Sequence, residues 1–498
     1  MHTAMLLEMV ADAAGDRVAV GSRKDGLTYA DLLDRARSVA GLLRRRQAAN
    51  IALVGLNSNA VPIVLFGSAL GGVPFAPINY RLGDDQLHSV LGRLAPAVAI
   101  VDPDVAGRVR GVDGIEVITT DELAAAAAGS GGESEITPAD PEDVAILLFT
   151  SGTTGEPKAA VLRHRHLTSY ILTTVDFLGA DEDEAQLVSV PPYHVAGISA
   201  VLSSVFAGRR IYYLPAFDTA AWVKAADKEA VTQAMVVPTM LNRILDEVQR
   251  TGVSLAALRN IAYGGGRMPV PVIERAMGML PHVNWVNAYG LTETSSTISV
   301  LGPDDHAAAF GSDDVTVRAR LGSVGRPLPT VELEIRDTDG KPVPTGERGE
   351  IFVRGEQIAG EYLGRSVLTE NGWFPTNDSG YLDEGGYLFL EGRLDDVIVR
   401  GAENLSPGEI EDVLVSHPVV AEAAVFGLPD TEWGEKVVAA VVLHSDGDAD
   451  EAELQHWVRE RLRSTKTPQR IHFCSELPHN ETGKLLRRVL KAQFSDSE

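Results

Sequence analysis

The chain has 498 residues, of which 45% are hydrophobic and 23% are charged, and its 44 basic and 69 acidic residues give a formal net charge of −25. This composition is typical of a soluble globular enzyme with several domains, and the acidity disfavours non-specific binding to nucleic acid or to an anionic membrane. A single cysteine, Cys474, excludes a disulfide within the chain and a zinc site built from several cysteines, which favours a reducing compartment, the cytoplasm.

The first 100 residues predict helices and buried strands. Residues 1–20 carry apolar side chains at helical spacing among acidic ones, which indicates a helix and not a signal peptide. The uncharged stretch 60–78 is interrupted by glycines and prolines. It therefore predicts a buried helix over 61–70, a turn and a buried strand, and not a membrane span.

Short apolar runs alternate with amphipathic stretches over most of the chain. Residues 50–56, 97–101 and 144–150 predict buried strands, and residues 84–94 and 164–178 predict helices. This alternation predicts parallel sheets that are covered by helices on both faces. Between two such units, residues 129–140 are rich in glycine, serine and acidic residues and predict a linker.

The pattern changes after residue 321. Residues 331–336 and 349–354 alternate apolar and polar side chains, which predicts an antiparallel sheet or a small barrel. From about residue 394 a separate α+β unit is predicted. Its expected helices and strands are 407–415, 419–427, 436–444 and 452–462.

A glycine-rich loop follows the strand predicted at 144–150. It reads Thr150-Ser151-Gly152-Thr153-Thr154-Gly155-Glu156-Pro157-Lys158. The two glycines allow a close backbone approach, and the hydroxyls, the exposed N–H groups and the lysine can surround phosphate oxygens. The spacing is not that of a Walker A loop. The loop predicts a phosphate site, and taken alone it leaves a flexible turn as the alternative.

The same loop resembles the signature of the adenylate-forming superfamily, which includes acyl-CoA synthetases, adenylation domains of peptide synthetases and firefly-type luciferases. The other motifs of that family follow in order and at similar spacing. They occupy residues 192–197, 263–266, 287–294, 373–378, 392–396 and 478–484. The resemblance therefore covers nearly the whole chain, and six motifs in register leave little room for coincidence.

The resemblance implies a reaction in two halves. A carboxylate attacks the α-phosphate of ATP and pyrophosphate leaves, and the acyl group then passes to coenzyme A, as in AMP-forming acid–CoA ligases. ATP and coenzyme A are the expected co-substrates and Mg²⁺ the expected metal. An enzyme that loads a carrier protein in trans is the alternative, because no carrier domain follows Lys484. A non-catalytic nucleotide-binding descendant and a luciferase-like oxygenase are more distant alternatives.

The resemblance also assigns the catalytic residues. Glu293 would bind Mg²⁺, and Thr292 would donate to the α-phosphate. Lys484 would contact the carboxylate and the bridging phosphate oxygen during adenylation, a task that suits a compact ammonium on a long stem. His194 would gate the passage between the acyl and thiol tunnels together with Tyr193, and a buried core histidine is the alternative.

The implied nucleotide site is larger. Asp378 would hold the two ribose hydroxyls, and Arg393 would contact the ribose or the α-phosphate. Tyr289 would stack on adenine, with a buried core tyrosine as the alternative. Asn377 replaces the usual glycine before the aspartate, and asparagine tolerates left-handed backbone better than most residues. The whole expected ATP and AMP set is Thr150, Ser151, Gly152, Thr153, Thr154, Gly155, Lys158, Gly264, Gly265, Gly266, Asn287, Ala288, Tyr289, Gly290, Asp378 and Arg393.

Small or apolar side chains dominate the acyl pocket that the resemblance implies. Its expected members are Tyr193, His194, Ala196, Gly197, Val237, Gly264 and Ala288. Such a lining favours an apolar acid, whether fatty, branched, alicyclic or aryl. Nothing among these residues pairs a second carboxylate, although Arg267 is near.

The last implied feature is a domain movement. Asp395 would be the hinge, and Arg400 and Gly401 would contact coenzyme A once the C-terminal domain has turned. Ala402 stands where a second glycine is usual.

The expected fold is therefore α/β. It has a large N-terminal domain, residues 1–394, of two doubly wound αβ lobes and a small β-barrel unit, and a smaller mobile α+β domain, residues 395–498. The oligomeric state stays open, with a homodimer among the options.

Overall fold

The structure is a computed structural model of the chain, and it describes residues 1–127, 140–150, 157–401, 403–444, 447–479 and 485–495. The predicted linker, except residue 140, lies outside the described residues. So do Ser151, Gly152, Thr153, Thr154 and Gly155 of the glycine-rich loop, Ala402 and the predicted catalytic Lys484.

The strands of the first 310 residues are β1 (Val18–Val20), β2 (Leu27–Thr28), β3 (Asn50–Val54), β4 (Phe75–Ile78), β5 (Ala97–Val101), β6 (Ile115–Thr119), β7 (Val144–Thr150), β8 (Lys158–Arg163), β9 (Ala185–Val188), β10 (Arg210–Tyr213), β11 (Gln233–Val236), β12 (Asn260–Gly264), β13 (Asn284–Leu291) and β14 (Ser296–Leu301). Those that follow are β15 (Arg326–Pro327), β16 (Glu332–Arg336), β17 (Gly349–Arg354), β18 (Glu361–Tyr362), β19 (Arg365–Ser366), β20 (Phe374–Leu382), β21 (Leu388–Arg393), β22 (Ile398–Arg400), β23 (Glu403–Leu405), β24 (Val420–Asp430), β25 (Gly434–Leu443) and β26 (Arg470–Phe473).

The α-helices are α1 (Ala4–Ala14), α2 (Tyr29–Arg46), α3 (Ala60–Gly71), α4 (Asp84–Gly92), α5 (Pro103–Val109), α6 (Thr120–Ala127), α7 (His164–Thr174), α8 (Val195–Ala207), α9 (Thr219–Lys228), α10 (Pro238–Thr251), α11 (Val270–Met279), α12 (Pro303–Phe310), α13 (Val315–Ala319), α14 (Pro407–Val415), α15 (Glu451–Arg461) and α16 (Arg487–Ser495).

Two large sheets form the N-terminal part. One has the order β19-β18-β8-β7-β4-β3-β5-β6, and the other has the order β15-β14-β13-β12-β11-β9-β10-β1-β2. The central strands of both sheets are parallel, and antiparallel strands lie at the edges. One apolar core contains residues of both sheets and of α1, α2, α3, α7 and α8, and separate cores form under α4 and α5 and under α9, α10 and α11. The predicted pair of doubly wound lobes is thus confirmed.

Helix α3 explains the uncharged stretch of the sequence. Its residues 60–70 are buried, because α2 covers one side and the eight-stranded sheet another. Gly67 sits where a Cβ atom would lie 2.5 Å from the Cβ atom of Val39 on α2, so glycine permits the close helix contact. The predicted buried helix and strand are confirmed. Among the described helices none is both long and apolar enough to cross a membrane.

Three predicted helices are too long, and the one predicted over 84–94 ends at Gly92. The first ends at Ala14, and Val18–Val20 instead form β1, which pairs in parallel with β10. This short strand depends on a partner almost 200 residues away, so local helical spacing could not identify it. Helix α7 ends at Thr174 and not at residue 178, because Val175 is already extended; two threonines and a valine in succession are poor helix formers.

The antiparallel region predicted after residue 321 is a four-stranded antiparallel sheet with the order β16-β17-β20-β21. Its strands β20 and β21 pair Asp378 with Arg393. A short 3-10 turn, Leu394–Asp396, separates this sheet from the next one, which has the order β23-β22-β25-β24 with β26 beside β25. Helices α14, α15 and α16 cover that last sheet, as the predicted α+β unit requires. The boundary predicted at residues 394 and 395 falls in the turn.

Candidate active site

Two cavities lie at the carboxyl ends of β11, β12 and β13, where ligands usually bind to open parallel sheets. The first has a volume of about 360 Å³ and the second of about 290 Å³. Thr239 and His479 line both cavities, so the two adjoin. The first cavity is walled by the end of the nine-stranded sheet, by the small antiparallel sheet and by α14.

The predicted glycine segment forms one wall of the first cavity. Gly264 ends β12, and a Cβ atom there would collide with the carbonyl oxygen of Ala288 on β13. Gly265 has a φ of +76°, which an L side chain rarely adopts. The wall is therefore backbone with little side chain, and Gly264, Gly265, Gly266, Asn287, Ala288, Tyr289 and Gly290 all line the cavity.

The Asp378 carboxylate is held from two sides. The Tyr289 hydroxyl donates to its Oδ2 at 2.7 Å, and the Arg393 Nε lies 3.0 Å from its Oδ1. Burial raises the pKa of Tyr289, and the Asp378 charge raises it further, so the hydroxyl keeps its proton and acts as a donor. Tyr289, Asp378 and Arg393 all line the first cavity.

The turn before Asp378 tolerates the unusual asparagine. Asn377 has a φ of +57°, the left-handed region in which asparagine is accommodated better than most residues. Its N–H donates to the Glu350 carboxylate at 3.1 Å, and the Asp378 N–H donates to the Thr376 hydroxyl at 3.1 Å. The replacement of the usual glycine therefore leaves a closed, hydrogen-bonded turn.

Glu293 and Thr292 lie in the 3-10 turn Thr292–Thr294, directly after β13. The Tyr362 hydroxyl donates a short hydrogen bond to Glu293 Oε1. Burial and the Glu293 charge raise the pKa of Tyr362, so this hydroxyl is also a donor. The Glu293 carbonyl accepts the N–H groups of Ala359 and Gly360 at 2.9 and 3.1 Å, which fixes the turn against the segment before β18.

Tyr362 is a functional candidate that sequence reasoning missed, because it belongs to no motif. It pairs with Ala160 of β8, the strand that begins at Lys158. The Lys158 Nζ lies 5.9 Å from the Tyr362 ring centroid. Thr150 and Lys158 face each other at the ends of β7 and β8, and the Thr150 hydroxyl lies 3.4 Å from the Lys158 carbonyl oxygen. Tyr362 thus links Glu293 to the end of the glycine-rich loop.

The predicted acyl-pocket residues divide between the two cavities. Gly264 and Ala288 line the first, and Tyr193 and Val237 line the second. His194, Ala196 and Gly197 line neither cavity. His194 is the N-cap residue of α8, and its ring centroid is 4.8 Å from that of Tyr193.

The second cavity is more polar than the sequence suggested. Arg81, Arg243, Asn57 and Tyr80 line it together with the apolar side chains of Val237, Phe217 and Met240. Arg243 lies on α10, whose first residues Pro238 and Thr239 line the first cavity. Sequence reasoning named neither arginine, because neither lies in a motif.

The predicted coenzyme A residues lie apart from both cavities. The Arg400 Nη1 donates to the carbonyl oxygen of Thr465 at 2.6 Å, and Gly401, with a φ of +63°, donates its N–H to the carbonyl oxygen of Trp433 at 2.6 Å. Asp395 is exposed in the turn Leu394–Asp396. The structure does not bring these three residues to either cavity.

The described residues around the predicted lysine do reach that cavity. His479 and Leu485 form a β-bridge with each other, and both line the first cavity. Among the described residues no three His, Cys, Asp or Glu side chains form a cluster that could hold a metal.

Arg267, which the sequence placed near the acyl pocket, is already engaged. It pairs with Asp412 of α14 at the edge of the first cavity. It is therefore not free to bind a second carboxylate of a substrate in this arrangement.

Known proteins match the chain over nearly its whole length. A family model described as AMP-binding enzyme matches residues 7–363, and one described as AMP-binding enzyme C-terminal domain matches residues 409–484. The feruloyl-CoA synthase of Amycolatopsis sp is 33% identical over 485 residues, which are 94% of this chain and 94% of that protein.

Solved structures show the same architecture. ATP-bound MatB from Rhodopseudomonas palustris has a TM-score of 0.88 at 28% identity over 100% of both chains, and the apo form of that protein has a TM-score of 0.79 at 28% identity over 100% of both chains. The o-succinylbenzoate CoA synthetase MenE from Bacillus subtilis, in complex with its acyl-adenylate intermediate, has a TM-score of 0.84 at 29% identity over 98% of this chain and 97% of that one. The chain therefore belongs to the AMP-binding enzyme family and is an AMP-forming acid–thiol ligase.

Proposed function

We propose that the protein converts an apolar carboxylic acid into its acyl-adenylate in the first cavity and transfers the acyl group to coenzyme A. The observation that carries this proposal is the Asp378 carboxylate, held between Tyr289 and Arg393 beside a glycine wall. A flat base can lie along backbone that lacks side chains, and an oriented carboxylate accepts hydrogen bonds from two neighbouring hydroxyls. This arrangement suits a nucleoside better than it suits a simple acid.

The far end of the nucleotide would meet cations and hydroxyls. Lys158 supplies a positive charge beside the glycine-rich loop, and Thr292 supplies a hydroxyl next to Glu293. Charge that develops on phosphoryl oxygens is stabilised by such preorganised donors. We assign the expected loop residues Ser151, Gly152, Thr153, Thr154 and Gly155 to the same task by the resemblance of their motif.

Glu293 is the proposed ligand of Mg²⁺. Magnesium usually keeps several waters and is bound by one or two carboxylates together with substrate phosphates, so one well-oriented carboxylate fits the requirement. Tyr362 orients that carboxylate by donating to Oε1. When bound, the ion would neutralise negative charge on the phosphates.

Lys484 is the proposed catalytic lysine of adenylation. The residues His479 and Leu485 on either side of its segment line the nucleotide cavity, which supports a role there. The higher TM-score to ATP-bound than to apo MatB is consistent with an adenylation arrangement. Arg400 and Gly401 would then meet coenzyme A after a rotation about Asp395, which we propose as the hinge between domains 1–394 and 395–498.

The second cavity favours a second candidate substrate class, an acid with an additional negative group. Arg243 is exposed on the wall beside Val237 and Thr239, and no ion pair joins it to another described residue. We expect Arg243→Gln to weaken the binding of an acid with two carboxylates, such as 2-succinylbenzoate, so that its Michaelis constant rises about tenfold or more. The Michaelis constant for ferulate, which has one carboxylate, should stay unchanged. Equal changes for both acids, or a change confined to the Michaelis constant for coenzyme A, would argue against this candidate.

The proposed function is tested by a substrate panel with purified protein. Ferulate, 2-succinylbenzoate, benzoate, octanoate and cyclohexanecarboxylate are each incubated with MgATP and coenzyme A, and AMP and thioester are followed by mass spectrometry. At least one acid should give both products, and Lys484→Ala should abolish acid-dependent AMP formation. Acyl-adenylate that persists in the presence of coenzyme A would favour a carrier protein as the acceptor. No ATP consumption with any acid would oppose the ligase assignment.

The remaining expectations stand on sequence composition and on one ring contact. The single cysteine supports a cytoplasmic site of action. His194 and Tyr193 are proposed to gate the passage between the acyl and thiol sides, because their rings contact each other next to the second cavity.

A further inference from the structure

An ion pair connects the glycine wall of the first cavity to the first helix of the C-terminal domain. Arg267 directly follows Gly264, Gly265 and Gly266, and its Nη2 donates a short hydrogen bond to Oδ2 of Asp412 on α14. Both side chains are about one-third exposed, at 37% and 32%. Arg267 and Asp412 also both line the cavity.

The contact involves the helix backbone as well as its side chain. A Cβ atom at Gly408, in the first turn of α14, would collide with the Arg267 guanidinium. The Ser406 hydroxyl, just before the helix, donates to the carbonyl oxygen of Glu391 at 2.6 Å across the same boundary. Arg267 therefore lies directly against the start of α14.

Asp412 differs from the other acids of α14. Glu411 is bound by Arg487 with two hydrogen bonds of 2.6 and 2.8 Å, and Glu409 is paired with Lys466 at 2.5 Å. Those partners all belong to the C-terminal domain. Asp412 instead pairs with Arg267 of the N-terminal domain. This ion pair can therefore exist only while α14 covers the cavity.

We propose that Arg267 and Asp412 form a positioning pair that orients the C-terminal domain for adenylation and must separate before thioester formation. The inference rests on the proposed function. The pair would favour the domain arrangement for adenylation over the arrangement for thioester formation. While α14 covers the cavity, His479 and Leu485 also line it, and a rotation that presents Arg400 and Gly401 would carry α14 away.

The pair acts through orientation more than through electrostatic stabilisation. Burial raises the pKa of Asp412 to about 6 even though Arg267 opposes the shift, and Glu411 and Glu409 add to it. Removing charges from water costs free energy that offsets part of their mutual attraction, so a partly buried ion pair adds little net stability. A weak pair with a defined geometry can specify one domain arrangement and still release it.

The first test needs no substrate. Trypsin cleavage after Arg393 or Arg400, on either side of the turn Leu394–Asp396, reports how often the domains separate. Arg267→Gln and Asp412→Asn should each be cleaved several-fold faster than the unaltered protein, and the exchange Arg267→Asp with Asp412→Arg should restore the slow rate. Arg250→Gln, which breaks an exposed pair with Glu247 on α10, is the matched control and should not change cleavage.

The second test separates the half-reactions with the panel acid that gives the most AMP. Acid-dependent ATP–pyrophosphate exchange should fall about tenfold in each single variant, and single-turnover transfer from chemically prepared acyl-adenylate to coenzyme A should be unchanged or faster. Equal losses in both half-reactions would overturn the proposal. So would failure of the folded double variant, Arg267→Asp with Asp412→Arg, to recover in either test. If the unaltered protein adenylates no acid, the proposed function fails, whereas the cleavage result still decides whether the pair holds the domains.

Discussion

The hydroxyl of Tyr362 hydrogen-bonds the carboxylate of Glu293 across 69 residues of sequence. The contact joins strand β18 to the turn after β13, and it places an aromatic ring beside Lys158. Glu293, the proposed metal ligand, and Lys158, the proposed phosphate-binding cation, thus have Tyr362 as a common neighbour, and Tyr362 belongs to no motif.

Removal of the Tyr362 hydroxyl should weaken MgATP binding without abolishing catalysis. Tyr362→Phe keeps the ring and removes the donor that orients Glu293, and a hydrogen bond to a charged group contributes about 1.5–3 kcal/mol. We expect the KM for MgATP to rise about tenfold and kcat to change less. Steady-state kinetics over a range of Mg²⁺ concentrations measures this, and Glu293→Gln should lower kcat/KM far more. An unchanged Mg²⁺ dependence in Tyr362→Phe would contradict the assigned role.

Loss of the Asp378 charge should remove recognition of the ribose. In Asp378→Asn the amide cannot accept from two hydroxyls as a carboxylate can, so the KM for ATP should rise about tenfold or more. The specific readout is 2′-deoxy-ATP. The unaltered protein should use it less well than ATP, whereas the variant should discriminate little between them. If the preference for ATP survives in the variant, Asp378 does not contact the 2′-hydroxyl.

The turn at Asn377 makes a prediction about stability. Its φ of +57° suits glycine and asparagine and strains a β-branched residue by about 1–3 kcal/mol. Asn377→Gly should leave the melting temperature within a few degrees, and Asn377→Val should lower it clearly, as measured by calorimetry. Because the side chain is exposed, lost packing would not account for a difference between the two variants.

Buried histidines should make the protein sensitive to acid. Burial lowers the pKa of His164 and of His166 to about 3, whereas an unfolded histidine titrates near pH 6.5. Below about pH 6.5 the unfolded chain binds a proton at such a histidine and the folded protein does not. The free energy of unfolding is therefore highest above about pH 6.5 and falls with the pH, by up to about 1.4 kcal/mol per pH unit for each histidine.

His164→Asn keeps an acceptor for the Thr3 hydroxyl, which lies 2.8 Å from the ring nitrogen, and removes the titration. The melting temperature of this variant should therefore fall less steeply between pH 7 and pH 4. His456 is 71% exposed, so His456→Asn is the control and should keep the slope of the unaltered protein. Parallel slopes in all three proteins would mean that His164 does not resist protonation.

The sequence predicted the elements that depend on local patterns, but it did not predict contacts between residues far apart in the chain. Strands β5 and β7 and helix α14 have the predicted bounds, because their apolar pattern is contained in the segments themselves. The motif residues Asp378 and Tyr289 line one cavity, but the hydrogen bond between them was not predicted, and their roles toward the nucleotide stay a prediction. Arg267 and Asp412 are 145 residues apart and belong to no pattern, so only the folded chain brings them together.

The two residues that line both cavities have a consequence for when an activated acyl group becomes accessible to its thiol. His479, which lines both cavities, belongs to the C-terminal domain, whereas Thr239 belongs to the N-terminal one. The proposed rotation of the C-terminal domain would withdraw His479 and leave Thr239 in place, so it would also change the boundary that the two cavities share. The acyl-adenylate, a mixed anhydride, would then become accessible to the thiol of coenzyme A only after the domain has rotated.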